Sequence, residues 1–198
     1  MHALIVIAHP NQDSLTHAVA SRFSQGVTAS SCHHSFEIAD LAAEGFDPRF
    51  TQADIDLHLK KAMPPPDVAA EHARLDRADE LVLVYPVYWW SFPGLVKGWI
   101  DRVFTQGWAY EEGADGGLIK KLAHLKVHLI AIGGADQRTY ARHGYFDAMK
   151  TQIDHGIFGY CGARIATSEL LLASDTGFPT THLEAAHALG SKIFASQQ

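Results

Sequence analysis

The residues best suited to chemistry in this chain are aromatic and crowded into one stretch, Tyr85-Pro86-Val87-Tyr88-Trp89-Trp90-Ser91-Phe92-Pro93. So many large rings in one proline-bounded connection are hard to explain as scaffold, and a flat, apolar ligand explains them. An isoalloxazine ring fits the description, because it needs an apolar wall and backbone N–H and C=O groups at its polar edge. A second feature lies upstream, where His9-Pro10-Asn11-Gln12-Asp13-Ser14 leads into an amphipathic helix. The free N–H groups and dipole of a helix start favour a phosphate, Ser14 and Thr16 add hydroxyls, and His9 adds a donor for a phosphate or pyrophosphate oxygen. A third is Gly133-Gly134, which lets backbone approach a ligand and offers N–H groups to charge developing on a reduced ring. Tyr140 and His143 follow within the same expected loop and are the nearest groups able to exchange protons.

These three segments each follow an apolar, β-branched run. Ala3 to Ala8, Leu81 to Val84 and Val127 to Ile132 are apolar on both faces, the pattern of strands buried inside a parallel sheet. Phe36 to Ile38 and Arg164 to Leu172 complete five strands. Helices are expected from Ser14 as N-cap through Val19 and Phe23, near Ala53 to Leu59, from Asp67 after Pro64-Pro65-Pro66, from Pro93 through Val103, from Phe146 to Tyr160 and from Thr181 to Ala195. Strands alternating with helices imply right-handed parallel crossovers. The expected fold is therefore α/β, a three-layer, doubly wound, five-stranded parallel sheet in a single domain over residues 1–198. In such sheets ligands bind beyond the carboxyl ends of the strands, where the three unusual segments lie.

Composition removes several classes of function. The net charge of −6 is spread along the chain without a Lys/Arg run, so no nucleic-acid partner is expected. The cysteines Cys32 and Cys161 lack CxxC spacing and read as reduced structural thiols. No apolar stretch approaches the ~18 residues of a membrane span, and the short apolar start lacks a basic leader, so the expected location is cytoplasmic. His124 and His128 have helical metal-pair spacing, but His128 falls in an expected strand, and no metal is expected. GxSxG, GxxxxGK[ST] and GxGxxG patterns are absent, which argues against a hydrolase, a P-loop NTPase and a standard Rossmann dehydrogenase.

The block from Tyr85 to Phe104, continuing in Gly107-Trp108-Ala109-Tyr110, resembles the NAD(P)H:quinone oxidoreductases, the DT-diaphorase-like branch of the flavodoxin-like superfamily. The resemblance runs from the first strand to about Gly162. It implies that His9, Ser14, Leu15, Thr16 and Ala18 surround the flavin phosphates. It also implies that Pro86, Val87, Tyr88, Trp89 and Trp90 line the isoalloxazine, with Gly133, Gly134 and Tyr140 on its other side. The implied activity is two-electron, ping-pong transfer from NADH or NADPH to a quinone or similar flat acceptor, in a homodimer whose second subunit completes the site. FAD is the favoured cofactor, because His9 and its loop resemble the family's pyrophosphate-contacting segment; FMN is the alternative. The sequence departs from the family at Ala131-Ile132, where members often carry Thr-Thr, and His143 lies near, though not cleanly aligned with, a catalytic histidine. Two other functions share the fold: an electron-carrier flavodoxin, and an ancillary subunit contacting a potassium-efflux membrane transporter.

Overall fold

A computed structural model describes residues 1–195. Five parallel strands form one sheet: β1 (His2–Ile7), β2 (Ser35–Asp40), β3 (Glu80–Pro86), β6 (Lys126–Gly133) and β7 (Arg164–Leu172), in the order β2-β1-β3-β6-β7. Between β3 and β6 the chain adds a small antiparallel hairpin, β4 (Tyr110–Glu112) and β5 (Leu118–Lys120). The hairpin has no counterpart in the sequence expectation, because three-residue strands carry too few side chains to establish a period of two.

The central strands are buried because apolar residues alternate between two cores. Leu4, Val6, Leu81, Leu83, Val127 and Leu129 point into one, beneath α3 (Pro66–Asp76), α4 (Gly94–Val103) and the helical segment 145–160. Ala3, Ile5, Ile7, Val82, Val84 and Ile130 point into the other, against α1 (Leu15–Ser30) and α7 (Thr180–Lys192). The two helices of that second layer approach closely through Gly26 and Gly190: a Cβ on Gly26 would meet the carbonyl of His187, and one on Gly190 the carbonyl of Phe23. The short helix α2 (Gln52–His58) starts in a capping box in which Asp54 accepts from the Thr51 backbone N–H at 2.7 Å.

Two local differences from the expectation bear on the site. The segment around Tyr140 is helical, α5 (Gln137–His143), where a loop was expected. Asp136 caps it, accepting from the Thr139 N–H at 2.9 Å, and Gly144 ends it at φ +69°. The helix expected over Phe146–Tyr160 begins as α6 (Tyr145–Met149) and continues over Lys150–Gly159 with wider π-type turns.

The register fixes where the loops emerge. Ile7 pairs with Val84, and Pro86 with Ile132, so β1, β3 and β6 end side by side. Adjacent parallel strands lie about 4.8 Å apart, which brings all three loops within reach of one small ligand. The strand order reverses between β1 and β3, the position where doubly wound sheets open a crevice.

Candidate functional site at the carboxyl edge of the sheet

The first loop is held compact by its own hydrogen bonds. Asn11 Oδ1 accepts from the Asp13 N–H at 2.9 Å, His9 Nδ1 lies 3.1 Å from the Asn11 backbone N–H, and Ser14 caps α1 by accepting from the His17 N–H at 3.3 Å. The N–H groups of Leu15 and Thr16 precede any intrahelical partner, so they face the helix start. The Ala18 N–H is different, since it already donates to the Ser14 carbonyl at 3.1 Å. Thr16 is buried, so its hydroxyl does not face solvent. Leu15 packs on the second core, and the Ala18 side chain is exposed.

The aromatic loop carries the sharpest local conflict in the chain. Tyr88 and Ser91 exchange two backbone hydrogen bonds, at 3.2 and 3.1 Å, and so close a two-residue turn on Trp89 and Trp90. Both tryptophans lie in the left-handed region, at φ +50° and +61°. This is the geometry of a type I′ turn, which normally takes Asn-Gly, because a Cβ there costs on the order of 1–2 kcal/mol per residue. Trp89 gains nothing by burial, being 94 % exposed. Trp90 is held by stacking on Tyr145 at 3.7 Å between centroids and by an edge contact to Tyr140 at 5.2 Å. Two hydrogen bonds anchor the turn: the Val87 N–H donates to the Ile132 carbonyl at 2.8 Å, and the Ser91 hydroxyl donates to Gln152 Oε1 at 2.6 Å.

Opposite this turn, Gly133 and Gly134 play different parts. A Cβ on Gly133 would lie 2.7 Å from the Tyr140 hydroxyl and 2.8 Å from Leu172 Cδ2, whereas one on Gly134 would meet nothing within 4 Å. The first glycine lets Tyr140 pack, and the second leaves open space. That space is a cleft of about 200 Å³ lined by Val87, Trp89, Trp90, Gly134, Ala135 and Tyr140. Burial holds the Tyr140 phenol above its ordinary pKa, so it stays protonated and able to donate.

A larger cleft of about 360 Å³ lies between the sheet and α6, with Tyr85, Ala131, Met149 and Asp154 in its wall. Burial raises the Asp154 carboxyl above the usual range. Of the expected residues, Val87, Trp89, Trp90, Gly134 and Tyr140 line the smaller cleft, where the segments after β3 and β6 meet.

Five of the expected residues thus line one cleft, with Pro86, Tyr88 and Gly133 next to them in the same two loops; His9, Ser14, Leu15, Thr16 and Ala18 sit beyond the neighbouring strand β1 and do not line it, and His143 stands apart. Its exposed ring stacks on the outer side of Tyr145 at 5.3 Å, and Tyr145 in turn stacks on Trp90, so His143 does not line the cleft. Two residues had no place in the sequence reading. Tyr145 organises the aromatic wall. His17 joins the first loop to β2, its Nδ1 2.9 Å from the Ser14 hydroxyl and its Nε2 2.9 Å from Asp40. The Ser14-x-x-His17 spacing was a visible cue for the first contact, but Asp40 is non-local and leaves no local pattern.

Comparison with known proteins agrees with this architecture. Residues 1–191 match the family model for the flavodoxin-like fold. An uncharacterized NAD(P)H oxidoreductase of Haemophilus influenzae is 31 % identical over 173 residues, covering 86 % of this chain and 83 % of the relative. The structure of an NAD(P)H:quinone oxidoreductase from Methanothermobacter marburgensis superposes with a TM-score of 0.87 at 26 % identity, covering 98 % of both chains. A general stress protein 14 from Treponema denticola, solved in complex with FMN, has a TM-score of 0.65 at 25 % identity over the full length of both. The chain belongs to this flavodoxin-like family, on the NAD(P)H:quinone oxidoreductase branch that the Tyr85–Tyr110 block resembles.

Proposed function

We propose that the protein binds a flavin at the carboxyl edge of the sheet and catalyses two-electron reduction of a quinone or similar flat acceptor by NADH or NADPH. The observation that carries this reading is the Trp89–Trp90 turn, left-handed at both positions and facing the open backbone of Gly134. Strain of this kind persists where a function uses the resulting surface, and an exposed indole beside a bare glycine supplies an apolar plane facing polar backbone.

The residues fit the group. The N–H groups of Leu15 and Thr16, with His9 and Ser14, would hold its phosphate; Val87, Trp89 and Trp90 would flank the ring, and the Gly133-Gly134 backbone its polar edge. A bound flavin would supply hydride acceptance from NAD(P)H and electron delivery to the acceptor, in the ping-pong order expected of the family. The protein's own contributions are then specific. Tyr140 keeps its phenolic proton and offers a hydrogen bond at the cleft wall, and Tyr145 holds Trp90 in place. FAD is the expectation from the first loop, and FMN is named in the Treponema neighbour; chromatography of the released cofactor separates the two.

A homodimer is proposed on surface chemistry. The segment after α2 and the β4–β5 hairpin, tied together by Lys60 and Glu111 at 2.8 Å, expose Leu59, Met63, Leu118 and Ile119. Apolar side chains grouped this way favour a partner over water.

The test is anaerobic reduction of the flavin-loaded protein. NADH or NADPH should bleach the flavin absorbance without further additions, and a benzoquinone should restore it after the nicotinamide product is removed. Reduction that requires a separate reductase would indicate an electron carrier and overturn the proposal.

A further inference from the structure

The hydrogen bonds around His17 commit the Ser14 hydroxyl in a way that protonation reverses. Resting on the flavin reading above, we propose that His17 is a positioning residue for the cofactor's phosphate end. In this account His17 takes up a proton from solvent when a flavin phosphate settles against the start of α1.

The argument follows from which atoms can donate. The Asp40 carboxylate only accepts, so His17 Nε2, 2.9 Å away, carries a hydrogen. In the neutral ring Nδ1 is then an acceptor, and the 2.9 Å bond to Ser14 must be donated by the Ser14 hydroxyl. Ser14 Oγ also accepts the His17 backbone N–H at 3.3 Å. The one hydroxyl proton is thus spent inside the turn. With His17 neutral, Ser14 has nothing to donate to an anion.

Protonating His17 inverts the bond. Nδ1–H now donates to Ser14 Oγ, the hydroxyl hydrogen is free to turn toward a phosphate oxygen, and a full positive charge joins the helix dipole. The charged and titratable groups facing His17 are few. They are Asp40 from β2, 2.9 Å from Nε2, and His9 from the loop after β1, with ring centroids 6.3 Å apart. Asp13 is exposed ahead of the cap, and the first turn of α1 holds no acidic residue. The His17 and Asp40 side chains are only 16 % and 17 % exposed, so the pair is sheltered yet within reach of solvent protons.

Flavin-free protein titrated with FMN, with FAD and with riboflavin, followed by flavin fluorescence, tests this without measuring turnover. Between about pH 8 and about pH 6, affinity for FAD should rise up to roughly tenfold relative to riboflavin. Calorimetry in buffers of different ionisation enthalpy should register net proton uptake. The second ionisation of FMN, near pH 6, pulls the other way and does not depend on His17; FAD has no such group. In His17→Gln the FAD-against-riboflavin pH dependence and the proton uptake should vanish while FAD still binds. Ser14→Ala makes the same comparison should His17→Gln fold poorly, and it should shrink the pH dependence with His17 intact. An unchanged pH dependence in either variant would overturn the proposal. If neither FMN nor FAD binds wild-type protein at either pH, the flavin reading fails first and this proposal with it.

Discussion

The two ends of the central sheet handle polar groups in opposite ways. At the amino end, Glu80 at the start of β3 is fully buried, and each of its carboxylate oxygens has a partner: His128 Nε2 at 2.9 Å and Lys126 at 3.2 Å. His128 Nδ1 continues to the Thr167 hydroxyl at 2.9 Å, so β3, β6 and β7 are stitched together and nothing is left for a ligand. At the carboxyl end, α1 starts with open N–H groups, Gly134 faces empty space, and two tryptophans sit in a turn built for Asn-Gly. The Glu80 cluster is saturated by its own side chains, although His2 Nε2 at the same end is buried without a partner, whereas the carboxyl end presents open backbone at a cleft.

Substitutions at the two ends should separate stability from binding. The largest effect is expected for Glu80→Ala, which leaves Lys126 and His128 beside a buried gap. It should cost about 3 kcal/mol in urea unfolding while flavin affinity of the folded protein is unchanged. A loss of affinity comparable to the loss of stability would mean that the amino end also shapes the site.

Next come the two glycines. Gly133→Ala drives a methyl against the buried Tyr140 and Leu172 and should destabilise by about 1–2 kcal/mol. Gly134→Ala, in open space, should change stability by under about 0.5 kcal/mol yet weaken flavin binding, because its methyl would enter the cleft. Equal effects of the two on stability would contradict their assigned roles.

Trp89→Gly runs the other way. With 94 % of the residue in solvent there is little packing to lose, and relief of the left-handed backbone should raise stability by up to about 1 kcal/mol. The same change should lower flavin affinity, a trade visible as a higher urea midpoint in a paler protein. Lower stability would show that the turn is not strained.

The smallest effect concerns His72, far from the loops, stacked on Trp108 at 4.3 Å and bonded to the Val103 carbonyl at 2.7 Å. Burial lowers its pKa, against the opposing pull of Val103 and Asp76. The native state therefore prefers the neutral ring, and as pH falls below about 6.5 the unfolded chain takes up the proton first. The contribution of His72 is present above that value and lost below it, by under about 1 kcal/mol. His72→Gln should flatten that part of the stability-versus-pH curve.

Legibility in the sequence tracked locality. The both-face apolar runs of β1, β3 and β6 were readable because a buried parallel strand needs no partner to be recognised. The cap at Ser14 was equally local. The position of α5 was obscured by the polar run Ala135-Asp136-Gln137-Arg138, although Asp136 followed by Thr139 is a capping pattern in hindsight. The crowding of aromatics in the Tyr85–Pro93 loop was plain, but not that Trp89 and Trp90 sit at positive φ, since the closing bonds and the Tyr145 stack lie elsewhere in the fold. His17 and Asp40 are 23 residues apart in sequence and meet only through the β1–β2 pairing.

The most direct test of the central claim is reconstitution: flavin-free protein titrated with FAD and with FMN, watching flavin and tryptophan fluorescence together in wild type and in Trp89→Gly. The account predicts saturable one-to-one binding at micromolar or lower concentration, with tryptophan quenching, and a loss of roughly tenfold or more in affinity in the variant. Binding that leaves tryptophan fluorescence unchanged and does not distinguish the variant, or no binding of either flavin, would contradict it.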